Sequence, residues 1–277
     1  MEDNAGKFYL FEGKEHGSSV AGFKAPTSGR AAYEVIRIIR GVPLFYEDHY
    51  ARMESTFGEL GRPFNLSADT LKEDIKKLLR LNNIKNCNVK LIVYDDGDHQ
   101  KRLLYISKSY YPLEEEADAG TVTGLLRLER QNPNAKLVNK AYKDAVNAKM
   151  REGGYFEVIL VDASGRITEG SRSNAFFVKG NKIFTAPGEF VLKGITRKYV
   201  FEACKNAGFE VNEEFINADS LQQIDGAFLS GTSIKVFPIV SIDKIKLDSS
   251  VNPVVAAVRR EYDRLLEKYI DKHVNIW

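Results

Sequence analysis

The sequence predicts an α+β chain in two domains, and three observations carry that reading. Apolar spacing switches repeatedly between the two-residue step of strands and the three- or four-residue step of helices, in mixed order. The stretch Tyr110–Gly120 holds a proline, an acidic run and a glycine without apolar periodicity, which is linker chemistry. A chain of 277 residues is also long enough to bury two modest cores. The expected division is residues 1–110, a linker at 111–121, and a larger second part at 122–277.

In the first part, the β-branched segment Tyr33–Ile39, bounded by Gly29 and Gly41, predicts a strand. From His49 to Leu60, the residues Tyr50, Met53, Phe57 and Leu60 repeat at helical steps. A second helix is expected over Ala68–Leu81, with Ser67 as its N-cap. Val89–Tyr94 and Arg102–Ser107 read as a hairpin across Asp95–Asp98. In the second part, a strand is expected over Val122–Glu129 and a helix over Val138–Arg151. Strands Phe156–Val161 and Arg166–Glu169 follow, joined by a turn at Asp162–Gly165. A hairpin then pairs Ala175–Val178 with Lys182–Thr185. Helices over Ile195–Asn206 and Val254–Ile270 complete the outline.

Composition excludes several function classes. Forty Lys and Arg against 38 Asp and Glu leave a formal charge of +2, which gives no electrostatic reason for a nucleic acid or an anionic membrane as partner. No apolar run approaches the length of a membrane span, and the acidic start Met1–Asn4 does not read as a signal peptide. Two cysteines, Cys87 and Cys204, build no disulfide framework and lack metal-ligand spacing. The expectation is a soluble, reduced, cytoplasmic protein without a metal.

Four segments could carry chemistry, each with a plainer reading beside it. Gly194–Arg197 opens a predicted helix, where free amides can bind phosphate; taken alone, the segment reads first as a loop glycine and a Thr near an N-cap. Thr168–Asn174 joins two apolar strands, so Glu169 must be paired if those strands are buried; the alternative is a solvated hairpin loop. Ser230–Ser233 is a donor-rich loop after an apolar run, or an ordinary strand end. Lys136, beside Leu137 and Val138, is a candidate nucleophilic amine among lysines that are mostly surface charges. Periodicity does not separate it from Lys140 and Lys143.

In this order and at these separations, Ala135–Lys136, Glu169–Asn174 and Gly194–Arg197 resemble the fold-type IV pyridoxal-phosphate enzymes. That group holds branched-chain aminotransferases, D-amino acid aminotransferases and aminodeoxychorismate lyases. The resemblance runs from about Tyr9 to Ile239 and implies a small N-terminal α/β domain and a larger C-terminal pseudo-barrel domain. It implies pyridoxal 5′-phosphate as cofactor, an active site between domains, and a homodimer. Lys136 matches the lysine that forms the Schiff base, at the family's spacing before Glu157–Leu160, and Asn139 matches a residue of the D-amino acid enzymes. Lys140 falls out of register. Glu169 matches the acid facing the pyridine nitrogen, and Arg52 the arginine reaching the phosphate. Ser171, Arg172, Ser173, Asn174, Gly194, Ile195, Thr196 and Thr232 match the remaining cofactor contacts.

For the substrate, Tyr33, Val35 and Arg37 share one strand face, and Arg37 matches an arginine of branched-chain aminotransferases. Lys90 stands where those enzymes carry a second arginine, and Tyr142 is out of register with their tyrosine. Lys90, Thr232 and Ser233 complete the candidate substrate contacts. The acids Asp95, Asp96 and Asp98 would repel a carboxylate where the D-amino acid enzymes trap one. The resemblance therefore implies transfer of an amino group from a branched-chain-like L-amino acid to a 2-oxo acid. Aminodeoxychorismate lyase is the alternative, then D-amino acid aminotransferase. A non-catalytic binding protein on this scaffold would lack the lysine or the acid, and both are present.

Overall fold

The computed structural model describes residues 4–18, 31–97 and 99–277, so Met1–Asp3, Gly29 and Asp98 lie outside the described residues. The chain forms two compact units, one of Met1–Tyr110, Ala135–Lys140 and Glu267–Trp277, the other of Tyr111–Asn134 and Ala141–Leu266. Among the described residues, no helix is long and apolar enough to cross a membrane.

The first unit is built on strands β1 (Phe8–Phe11), β2 (Lys14–Gly17), β3 (Ala31–Ile39), β4 (Val42–Pro43), β5 (Cys87–Asp96) and β6 (His99–Ser107). They form one sheet in the order β2-β1-β6-β5-β3-β4, with every neighbouring pair antiparallel. Helices α1 (Tyr46–Glu59) and α2 (Ala68–Asn82) contribute Met53, Phe57, Ile75 and Leu78 to a core shared with Ile36, Ile38, Val89 and Leu91 of the sheet. The expected N-cap holds: the Thr70 amide donates to Ser67 Oγ at 3.2 Å. Helix α1 starts three residues before the expected His49. Glu47 and Asp48 lie in its first turn, where the helix dipole favours acids, and the Tyr46 amide donates to the Tyr269 hydroxyl at 3.1 Å. The pair β1–β2 was not anticipated, because Lys14–Gly17 is polar.

Alternation along β3 sends Glu34, Ile36 and Ile38 to the helix side and leaves Tyr33, Val35 and Arg37 half-buried on the other. A carboxylate on the helix side must be answered. Arg52 of α1 donates through Nε to Glu34 Oε1 at 2.7 Å and through Nη2 to Oε2 at 2.6 Å. His49, one turn away, meets Oε2 through Nδ1 at 2.7 Å. Burial opposes ionisation of Glu34, but Arg52 and His49 outweigh it and hold the carboxyl well below its ordinary range. Burial also pushes His49 down, against the pull of Glu34. A neutral imidazole facing a carboxylate must donate from Nδ1.

The second unit opens on α3 (Glu114–Ala119), inside the segment expected to be irregular. Three glutamates in its first turn suit the helix N-terminus, and the Leu113 amide donates to Glu116 Oε2 at 2.8 Å. Then come β7 (Thr121–Arg127), α4 (Lys140–Gly153), β8 (Glu157–Val161), β9 (Ile167–Gly170), β10 (Asn174–Lys179) and β11 (Lys182–Thr185). After α5 (Ile195–Asn206) follow β12 (Val211–Glu213), β13 (Gly226–Gly231), β14 (Lys235–Ile242), β15 (Ile245–Lys246) and α6 (Pro253–His273). The strands form a nine-stranded sheet ordered β12-β11-β10-β13-β14-β7-β8-β9, with β15 on β14. Its β14–β7 and β7–β8 pairs are parallel, whereas β13 runs antiparallel to both of its neighbours, β10 and β14. Ile159, Val161, Ala175, Phe177, Leu229 and Ile239 supply much of its core. Helix α5 spans the expected residues, whereas α4 starts two residues late. Val138, expected at its head, donates its amide to Ala31 at 2.9 Å instead.

The Glu34 cluster sets an acid limit on stability. An acid whose folded pKa is depressed stabilises fully above its unfolded value, about 4.3, and loses that contribution as pH falls toward the folded one. Removing one partner of a buried pair costs about 3–5 kcal/mol. Urea unfolding of the wild type and Glu34→Gln should therefore differ by that order at pH 7, and the gap should shrink between pH 5 and pH 3. A constant gap would refute the linkage.

Candidate active site

In the second unit, β9 and β10 are joined by the turn 171–173, and both strands are buried. Glu169 consequently sits only 3% exposed in an apolar setting, where an uncompensated carboxylate is costly. Three chain segments compensate it. The Leu192 amide donates to Oε2 at 3.1 Å, and Asn174 Nδ2 donates to the same oxygen at 3.4 Å. Arg130 Nε lies 3.5 Å from Oε1. Asn174 Nδ2 also donates to the Leu192 carbonyl at 2.8 Å, so one amide ties the acid to the loop before α5. The Arg130 guanidinium lies 5.5 Å from the Tyr142 ring centre, and the Tyr142 hydroxyl donates to the Ser171 carbonyl at 2.8 Å. Burial raises the Tyr142 phenol above its ordinary value, so it stays protonated as a donor.

The loop from Leu192 feeds directly into α5. Its N-cap, Gly194, makes no side-chain cap, and Ile195, Thr196 and Arg197 of the first turn are buried. A helix start of this kind offers main-chain N–H groups to an anion. Gly194 is required sterically, since a Cβ there would collide with Asn174 Oδ1. Asn174 is paired in register with Ser230 of β13, whose buried hydroxyl has no hydrogen-bond partner in the described structure. The buried Ser171 hydroxyl is in the same condition. Thr196 hydrogen-bonds Tyr262 of α6. Thr232 and Ser233 follow β13 and are half-buried. A ring base with an anionic tail fits this set: a held acid for the ring, and amides with unused hydroxyls for the tail.

Two of the expected contacts face elsewhere. The Arg172 side chain is exposed and donates through Nη2 to the Phe156 carbonyl at 2.8 Å. Ser173 Oγ donates to Glu157 Oε1 at 3.0 Å, and the Arg172 amide to the same oxygen at 2.6 Å. These bonds fix the turn, and burial raises the Glu157 carboxyl against the pull of Arg172.

In the first unit, Lys136 is anchored through its backbone. Tyr33 donates its amide to the Lys136 carbonyl at 2.9 Å, and Leu137 bridges to Ala32. The segment thus covers the start of β3, whose far end is covered by β4. Lys136 Nζ stands 4.8 Å from the Tyr33 ring centre. Val35 is paired in register with Lys90, whose Nζ lies 5.4 Å from the Tyr33 ring and 5.6 Å from that of Tyr105. Tyr33, Val35 and Arg37 therefore share a sheet face, as their spacing implied, and Lys90 of β5 lies on it with them. Arg52 spends two of its five N–H donors on Glu34.

Sequence reasoning missed Glu34, His49, Arg130, Glu157 and the Leu192 amide. Glu34 and Glu157 did carry a signal, since each is an acid within a β-branched run. Arg130 precedes an irregular loop, and Leu192 acts through its main chain, so neither had one.

The family model described as amino-transferase class IV matches residues 31–242. A D-alanine aminotransferase of Bacillus licheniformis is 29% identical over 78% of this chain and 80% of its own length. A putative branched-chain-amino-acid aminotransferase of Methanocaldococcus jannaschii is 26% identical over 87% of this chain and 88% of its own. The PLP-form structure of the branched-chain amino acid aminotransferase of Thermobaculum terrenum superposes with a TM-score of 0.82 at 22% identity, covering 99% of this chain and 97% of that one. The fold is that of the fold-type IV aminotransferases, and the chain belongs to the amino-transferase class IV family.

Proposed function

We propose that the protein uses pyridoxal 5′-phosphate to move an amino group from a branched-chain-like L-amino acid to a 2-oxo acid. The observation that carries the reading is the buried Glu169, held by Leu192, Asn174 and Arg130 beside the α5 start. When bound, the cofactor acts as an electron sink for the substrate's α-carbon. Lys136 supplies the amine that holds the cofactor's aldehyde carbon and moves a proton at the substrate α-carbon. Glu169 keeps a proton on the ring nitrogen through an ion pair in a water-poor setting. The amides of Ile195 and Thr196, with Ser171, Ser230, Thr232 and Arg52, hold the phosphate. Gly194 lets the backbone approach.

Arg37 and Lys90 favour a carboxylate on the Tyr33 face, and Tyr33 and Val35 present apolar surface to the substrate side chain. The D-amino acid reading draws support from the identity with the Bacillus licheniformis enzyme and from Asn139. Against it stands Asp96 at the β5–β6 hairpin, where like charge repels a substrate carboxylate, although Asp95 beside it is paired with Arg62. A homodimer belongs to the same proposal, and sedimentation equilibrium checks it.

Incubation with L- and D-amino acids, each with 2-oxoglutarate or pyruvate, tests the proposal beside an assay for pyruvate release from aminodeoxychorismate. Amino transfer from L-valine, L-leucine or L-isoleucine is expected; turnover of D-alanine alone, or pyruvate release alone, overturns it. Borohydride should fix cofactor to the Lys136 peptide, and Lys136→Ala should lose the adduct; an adduct on Lys140 would refute the register. Glu169→Gln should retain cofactor while kcat falls about a hundredfold or more, the scale of losing a main electrostatic group. Arg37→Ala should raise the amino acid KM roughly ten- to hundredfold, as for a lost charged hydrogen bond, without changing cofactor affinity.

A further inference from the structure

Arg130 belongs to none of the motifs that carry the resemblance, yet it sets a cation against the candidate ring acid. Its Nε lies 3.5 Å from Glu169 Oε1, and its side chain is 18% exposed. Its guanidinium lies 5.5 Å from the Tyr142 ring centre and hydrogen-bonds the Tyr142 phenol. Tyr142 is tied to the Ser171 carbonyl, one turn of chain after Glu169. The loop after Arg130 is held in turn, because Asn134 Nδ2 donates to the Glu189 carbonyl at 3.2 Å. That bond joins it to the segment whose Leu192 amide holds the other oxygen of Glu169. The two carboxylate oxygens therefore have different partners. Oε2 is fixed by neutral donors, while Oε1 lies against a full positive charge.

We propose that Arg130 is a positioning residue that fixes where the proton resides between Glu169 and the ring nitrogen of the bound cofactor. The inference rests on the cofactor reading given above. A carboxylate and a protonated ring nitrogen can share their proton as an ion pair or as a neutral pair, and a dry setting favours the neutral one. A guanidinium next to the carboxylate stabilises the negative charge and so favours the ion pair. The proton then stays on the ring, where it is needed for electron withdrawal. Without Arg130 the proton shifts onto Glu169, and the ring loses its charge. Among the described residues, Tyr142, which remains a neutral donor, and Glu157, whose carboxyl burial raises, also face this cluster.

The test is 15N NMR of wild type, Arg130→Gln, Arg130→Met and Arg130→Lys, each loaded with pyridoxal 5′-phosphate labelled at the ring nitrogen. In the wild type and Arg130→Lys, the resonance should lie at the protonated position across pH 6–9. In Arg130→Gln and Arg130→Met it should move toward the unprotonated position, with kcat falling at least tenfold and KM little changed. Two uncharged variants of different polarity guard against one failing to fold, and thermal unfolding of each monitors a purely structural effect. An unchanged resonance in either folded variant overturns the proposal, even if stability drops. A wild type that binds no labelled cofactor overturns the functional reading instead.

Discussion

Burying the Glu169 carboxylate is the constraint around which the second unit is arranged. An ionised acid between two covered strands is tolerated only with donors in fixed positions, and no single segment supplies them. Leu192 brings a main-chain amide from the loop before α5, Asn174 a side-chain amide from β10, and Arg130 a charge from the loop after β7. Because those segments converge on one carboxylate, its position fixes theirs. Asn174 bonds both the acid and Leu192, and it excludes any side chain at Gly194. The candidate ring acid and the candidate anion-binding helix start are therefore held in register by one asparagine.

The first unit solves a different problem, that of presenting a lysine from a segment with little structure of its own. Ala135–Val138 is held by main-chain bonds to the open edge at the start of β3. An unpaired edge would be a liability, and here it serves as the mount. The same strand turns Glu34 inward to Arg52 and His49, and Tyr33, Val35 and Arg37 outward. One alternating strand thus fixes helix α1 on one face and forms the candidate substrate surface on the other.

Much of this was legible in the sequence because it depends on local chemistry. Helix α5 and the hairpin β10–β11 lie where periodicity and turn residues put them, and Ser67 caps α2 as its hydroxyl suggested. The face shared by Tyr33, Val35 and Arg37 follows from alternation alone. What stayed hidden depends on long-range contacts. Val138 follows a helical pattern yet bonds to Ala31, more than a hundred residues earlier, because an edge strand competes for its amide. Helix α3 looked like linker, since its stability comes from acids at a helix start rather than from an apolar face. Arg172 belongs to the string that matched the cofactor site, but its side chain turns to Phe156. A motif fixes the main-chain path more firmly than it fixes each side chain.

Two acids in neighbouring strands show how environment, more than residue type, marks out the candidate functional one. Glu157 opens β8 and Glu169 lies in β9, and both are almost wholly buried. Glu157 accepts from the Arg172 amide and the Ser173 hydroxyl, partners within the turn that it braces. Burial raises its carboxyl, so its neutral form is the cheaper one to keep inside. Glu169 instead has an arginine against one oxygen and neutral donors on the other. In the proposed function Glu169 stays ionised while facing a basic ring, and a cation beside it stabilises that charge. Arg172 acts on Glu157 only as a nearby charge that burial outweighs, whereas Arg130 lies 3.5 Å from the Glu169 carboxylate itself.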